Sequence, residues 1–157
     1  FEQAAVGIVL VDLEGRFVRT NHKFYNIVGF SEAELIGRSF EEITHPDDIP
    51  PDKAQVQRLL AREASNFVME KRYIRKDKTI VWANLSVSLV RDMDGKPEYF
   101  IAVVGNIDDR KQAELALRES EERFRTLFEA TPNPIQGYDK DRRIIFWNQA
   151  SEKLYGY

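Results

Sequence analysis

Residues 67–106 read FVMEKRYIRKDKTIVWANLSVSLVRDMDGKPEYFIAVVGN, and three strands are written into them. Phe67–Arg75 runs to a turn at Lys76-Asp77-Lys78. Thr79–Arg91 runs to a second turn at Asp92-Met93-Asp94-Gly95, and Glu98–Asn106 follows Pro97. β-branched and aromatic residues fill the segments, while Asp and Gly punctuate them. In the middle strand Val81, Ala83, Leu85, Val87 and Leu89 make one wholly apolar face, opposite Ile80, Trp82, Asn84, Ser86 and Ser88. The last strand alternates Phe100, Ala102 and Val104 with Tyr99, Ile101 and Val103, so both of its faces are apolar. A sheet with one face in water carries polar residues on that side. The second face, around Trp82, Tyr99, Ile101 and Val103, is therefore expected to meet a helix or another chain, and it is the candidate dimer face.

Upstream, Gly7–Asp12 and Arg16–Thr20 flank a Leu13-Glu14-Gly15 turn and read as a hairpin. Asn21 stands where a helix N-cap belongs, with Gly29 at the far end. Ser31-Glu32-Ala33-Glu34 is a capping box, and Ser39-Phe40-Glu41-Glu42 repeats it. His45-Pro46-Asp47-Asp48 and Pro50-Pro51 break the chain before an amphipathic helix over Asp52–Glu63. Two strands, short helices and then a three-strand meander predict an α+β fold, a five-stranded antiparallel sheet with helices on one face.

Downstream, the run from Asp109 to Ala130 holds neither Gly nor Pro and predicts a connector helix over 108–130. At 1.5 Å per residue, such a helix is a rod of roughly 33 Å. Ala113, Leu117, Ser120, Phe124, Leu127 and Thr131 step by four and three, a heptad seam with two polar members. Beyond it the chain begins again. Shifted by 127 positions, residues 1–30 overlie 128–157 without a gap, with Phe1, Glu2, Ile8, Asp12, Arg16, Asn21 and Gly29 repeated as Phe128, Glu129, Ile135, Asp139, Arg143, Asn148 and Gly156. The expected organisation is a complete unit over 1–107, the connector, and the cut-off start of a second unit over 131–157.

Composition narrows the chemistry. Apolar residues at 43% and charged residues at 31% suit a soluble module with a core. A net charge of −3 argues against nucleic-acid binding, which needs clustered positive charge. No apolar run approaches the ~20 residues that span a bilayer, so no membrane contact is expected and the module reads as cytoplasmic, whether free or as the inner part of an anchored receptor. The absence of cysteine removes thiolate nucleophiles, disulfides and zinc–thiolate sites. Two histidines offer little to a metal. His45 reads as a cap for the next turn, and His22 as a solvated helix residue. Asp47 and Asp48 could pair for acid–base work, but acids at a helix start more commonly match its dipole. No catalytic or metal site is expected.

FEQAAVGIVLVDLEGRFVRTN, followed by GFSEAELIGRSFEEITHPDD, RYIRKDKTIVWANLSVSLVRD and GKPEYFIAVVGNIDDRKQAE, resembles a bacterial PAS domain with its PAC segment over residues 1–112. The second copy resembles the start of another. The resemblance implies a sensory or dimerisation module of a multidomain signalling protein. It implies a sensor histidine kinase as the parent, or alternatively a diguanylate cyclase or phosphodiesterase, and a ligand-free interaction domain is a further alternative. It also implies a homodimer through the outer sheet face and connector helix, and a pocket lined by Tyr73, Ala83, Leu85, Val87 and Val104 that could hold a small apolar ligand.

Three departures bear on cofactor and signal. Covalent flavin photochemistry needs a cysteine, and the flavin-binding amides of the light-oxygen-voltage branch fall at Tyr73, Ala83 and Val104, which argues against bound flavin as well. Haem in this family takes a histidine from the long helix, and Asp52–Glu63 has none. The usual Asp-Ile-Thr at the end of the last strand is Asn106-Ile107-Asp108 here, so the signal-relay junction lacks the family's Asp–Arg ion pair. Lys78 stands where the family's turn has Gly. Lys71 and Tyr73 share the inward period of their strand; Lys71 is expected to snorkel outward along the sheet and Tyr73 to pack in the core.

Overall fold

A computed structural model describes residues 1–156 and divides the chain into two compact units, Phe1–Lys111 and Gln112–Tyr157. In the first, β1 (Gly7–Val11), β2 (Phe17–Thr20), β3 (Asn66–Ile74), β4 (Ile80–Arg91) and β5 (Pro97–Asn106) form one antiparallel sheet. The spatial order is β2-β1-β5-β4-β3, so the last strand sits at the centre with the opening strand beside it. Gly7 lies opposite Val104 and Val9 opposite Ala102 in that central pair. The expected α+β fold with five antiparallel strands is the observed one.

Between β2 and β3 lie α1 (His22–Val28), α2 (Glu32–Leu35), two short 3-10 turns and α3 (Ile49–Leu60). Local chemistry sets their ends. Asn21 caps α1, and Gly29 ends it in the left-handed conformation that glycine tolerates (φ 76°). The Ser31–Glu34 box caps α2. The Asp47 N–H donates to His45 Nδ1 at 3.2 Å, which is the capping role expected of that histidine. The long helix begins three residues earlier than the prolines suggested. Pro50 and Pro51 sit in its first turn, where N–H groups have no intrahelical partner to lose. It ends at Leu60, ahead of Arg62 in a left-handed conformation (φ 61°).

One side of the sheet carries the core: Val9, Phe17, Phe24, Val28, Leu35, Ile43, Leu59, Val81, Leu85, Phe100 and Val104 are all buried. On the other side Trp82, Tyr99 and Ile101 are half-buried and Val103 is exposed. The Lys76-Asp77-Lys78 turn forms despite the missing glycine. Lys78 takes φ 71°, and the Asp77 carboxylate accepts the Thr79 N–H at 2.9 Å.

After β5 comes α4 (Asp108–Ala130), none of whose residues is buried. Leu117, Phe124 and Leu127 of the heptad seam are each more than 60% exposed. In the second unit β6 (Gln136–Tyr138) and β7 (Ile144–Trp147) form a hairpin followed by α5 (Gln149–Tyr155). Phe146 lies across Gly137, where a Cβ would stand 2.0 Å from its ring. Tyr157 falls outside the described residues.

Candidate functional site

The site grows from the alternation of β3. Lys71 and Tyr73 point to the core side, Glu70 and Arg72 to the other. Lys71 is 1% exposed, so it does not snorkel outward as expected. Its ammonium donates to Asp52 Oδ2 at 2.5 Å and to Thr44 Oγ1 at 3.1 Å. Thr44 in turn donates to the Phe40 carbonyl at 2.7 Å. The ammonium also lies 4.7 Å from the centre of the Tyr73 ring and 5.0 Å from that of Phe40. The outward reading fails because a buried acid waits for it. Asp52 heads the stripe Asp52, Val56, Leu59 that α3 turns toward the sheet, and it is 3% exposed. An ammonium held by a carboxylate, a hydroxyl and two aromatic faces is tolerable inside, where an isolated one is not. Burial pulls the Lys71 pKa below its ordinary value, opposed by the charge and hydrogen bond of Asp52. Burial pushes the Tyr73 hydroxyl up, and the charge of Asp52 adds to that.

Beside this pair is a cavity of about 210 Å³. Val9, Phe17, Phe67, Leu85, Val87, Phe100 and Ala102 form its apolar wall, while Lys71, Tyr73 and Asp52 form a polar corner. Exposed Leu13, Glu14, Lys53 and Gln57 stand at the rim. Of the five residues proposed for a pocket, Tyr73, Leu85 and Val87 line this space. Ala83 and Val104 do not; both are fully buried, and Val104 is packed against the β1 end of the sheet opposite Gly7.

On the far side of β3 a second polar cluster follows. Asp48 was expected to match a helix dipole, but its side chain makes no cap bond. It grips Arg72 instead, accepting from Nε at 3.0 Å, from Nη2 at 2.8 Å and from the backbone N–H at 2.7 Å. That hydrogen bonding holds the Asp48 carboxyl below its ordinary pKa. The Arg72 guanidinium lies 5.2 Å from the centre of the Trp82 ring, its neighbour across β3 and β4. The Lys111 ammonium of α4 lies 4.8 Å from the same ring. Glu70 accepts from both Arg110 and Lys111, and these bonds, that of Lys111 foremost, lower its pKa.

The junction residues are tied to the same tryptophan. The Ile107 N–H donates to the Trp82 carbonyl at 3.0 Å, and the Trp82 N–H donates to Asp108 Oδ1 at 3.3 Å. Asn106 Oδ1 accepts the Asp108 N–H at 2.8 Å. The first turn of α4 is thus fastened to the outer face of the strands whose inner face lines the cavity. Sequence reasoning named Trp82, Asn106, Ile107 and Asp108, read Asp48 only as an acid at a helix start, and missed Asp52, Thr44, Arg72 and Glu70. Among the described residues no group of acids and histidines is arranged to hold a metal, and no helix is long and apolar enough to cross a membrane.

Known proteins resemble both units. A family model described as PAS fold matches residues 17–104, and one described as PAS domain matches 122–157. The chain is 36% identical over 154 residues to the probable diguanylate cyclase DgcE of Escherichia coli (strain K12), covering 98% of this chain and 14% of that protein. It is 33% identical over 119 residues to the sensor histidine kinase TmoS of Ectopseudomonas mendocina, covering 76% of this chain and 12% of that one. A crystallised PAS domain from Colwellia psychrerythraea superposes with a TM-score of 0.65 at 19% identity, covering 69% of this chain and 92% of the other. The chain therefore spans less than one sixth of the length of these two curated relatives.

Proposed function

The chain belongs to the PAS family, and we propose that its first unit is a sensor whose cavity takes a small molecule and whose state is passed to α4. The observation that carries this reading is the fastening of the α4 first turn to Trp82 and Glu70, directly behind the cavity wall. A molecule entering the cavity presses on Lys71 and Asp52. Asp52 shares α3 and its N-terminal edge with Asp48, and Asp48 holds Arg72 against Trp82. A shift of α3 therefore reaches the start of α4 through one ion pair, Asp48–Arg72, and the Trp82 ring on which Lys111 also rests.

Hydrogen exchange over Asn106–Lys111 tests the relay without a ligand. Arg72→Gln removes the two guanidinium bonds to Asp48 and the stack on Trp82, leaving only the backbone N–H bond to that carboxylate. It should speed exchange in that segment by about tenfold while the β1–β5 pair stays protected. Equal rates in the two proteins would remove the relay.

The output is an enzyme elsewhere in the parent protein. A sensor histidine kinase suits a module of this kind. Alignments that run through α4 and into the second copy include one to a probable diguanylate cyclase at 36% identity and one to a sporulation kinase at 26%, and the higher identity favours that second reading. The fragment itself is read as non-catalytic and intracellular. We further read Trp82, Tyr99, Ile101 and Val103, with the exposed Leu117, Phe124 and Leu127 of α4, as a homodimer contact. Ile101→Glu should weaken the dimer by about 2 kcal/mol in sedimentation equilibrium if that face is desolvated. An unchanged profile would count against it.

A further inference from the structure

The polar corner of the cavity has hydrogen-bonding capacity that the protein leaves unused. Lys71 has three N–H donors and spends two, on Asp52 and Thr44. The Tyr73 hydroxyl makes no hydrogen bond within the described residues, although the side chain is 3% exposed and lines the cavity. Asp52 binds Lys71 through one carboxylate oxygen only, and its Oδ1 is likewise without a partner. Two donors and one acceptor therefore border a space otherwise walled by Val9, Leu85, Phe100 and Ala102.

Size and charge restrict what can fill it. An apolar cavity of ~150 Å³ holds a benzene ring, so 210 Å³ leaves room for a ring and a small head group. The ammonium and the carboxylate neutralise each other at 2.5 Å. A carboxylate brought into the same corner would face Asp52 with no unspent positive charge to meet it, and would lose its hydration as well. A hydrocarbon would fill the space but leave the three polar groups unpaired.

We propose that the cavity takes an uncharged molecule of about one ring's bulk, carrying a hydroxyl or primary amide head that donates to Asp52 and accepts from Tyr73 or Lys71. This inference rests on the reading of the unit as a ligand sensor and names the ligand's class.

Four near-isosteric probes test it on the full chain by calorimetric titration: benzamide, acetophenone, ethylbenzene and benzoate. Benzamide should bind about tenfold more tightly than ethylbenzene, with acetophenone between them and benzoate weakest. Tyr73→Phe keeps the ion pair and the ring, so it should fold normally and cut benzamide affinity by about five- to tenfold while leaving ethylbenzene unchanged. Benzoate binding as tightly as benzamide, ethylbenzene matching it, or none of the four binding would overturn the proposal. The relay of Arg72 and Trp82 is read by hydrogen exchange without any probe, so the two can fail separately.

Discussion

The same cradle is built twice in this chain, around Asn21 and around Asn148, and only the first becomes the head of a sheet. Asn21 accepts from the Ile8 and Phe24 N–H groups and donates to the Phe1 and Val6 carbonyls, at 2.9–3.2 Å. Asn148 accepts from Ile135 and Ser151 and donates to Phe128 and Asn133, over the same range of lengths. Every partner is displaced by 127 positions. Glu2 accepts the His22 N–H and Glu129 accepts the Gln149 N–H, while Asp12 and Asp139 each clamp their hairpin turn through two N–H groups. The burial differs. Val9, Val11 and Phe17 of the first hairpin are buried, whereas Ile144, Ile145 and Phe146 of the second are 41–60% exposed. Local hydrogen bonding is thus enough to set the strand–turn–strand–cap geometry, but β3, β4, β5 and α3 are what give it a core and a cavity.

The largest effect is expected at the Lys71–Asp52 pair, which only the first copy has. Lys71→Met leaves the Asp52 charge buried and alone and should cost about 3–5 kcal/mol in urea unfolding. Adding Asp52→Leu should recover most of that, because replacing a buried pair by apolar groups is nearly neutral. A double variant no more stable than the single would mean that packing, not charge, was lost.

Next come the cradles themselves. Asn21→Ala strips four hydrogen bonds from a fully buried site and should cost about 2–3 kcal/mol of first-unit stability. Asn148→Ala should leave that transition in place and show only as faster exchange at Ile135 and Ser151. If both variants shift the first transition alike, the two cradles are not independent.

Smaller effects sharpen the contrast at the hairpin turns. Gly15 takes φ 86°, and a Cβ there would stand 2.9 Å from the Phe40 ring. Its counterpart Arg142 holds φ 60° with a side chain. Arg142→Gly should therefore stabilise the second hairpin, by up to about 1 kcal/mol in the exchange of the Asp139 and Arg142 N–H groups, whereas Gly15→Ala should destabilise the first. The smallest effect is electrostatic. The folded pKa of Glu70 lies below its unfolded value, so its contribution is complete above pH ~4.5 and is lost as pH falls through the folded value. Protection factors at Arg110 and Lys111, taken relative to the intrinsic exchange rate at each pH, should fall over that interval in the native protein and stay flat in Glu70→Gln.

Much of the fold could be read from alternation and caps, because both are local. The wholly apolar face of β4 and the two apolar faces of β5 placed the meander, and Asn21, Ser31 and Gly29 placed the helices. The site was harder to read. Lys71 lay on the inward period, but its partner is 19 residues away on another element, and only their meeting makes burial affordable. A signal was available: Asp52 heads the apolar stripe of α3, an acid where a solvated face has no reason to begin. Asp48 looked like a cap because nothing local reveals that Arg72 reaches it across the edge of β3.

On the proposed relay, the state of the cavity is felt at the start of α4. Hydrogen exchange of Ile107–Lys111, compared between the native chain and the Lys71→Met/Asp52→Leu variant, tests it most directly. The relay predicts rates in this segment altered by about fivefold or more, with the β1–β5 amides unchanged. Identical rates at Ile107–Lys111 in a variant whose cavity corner has been rebuilt would contradict it.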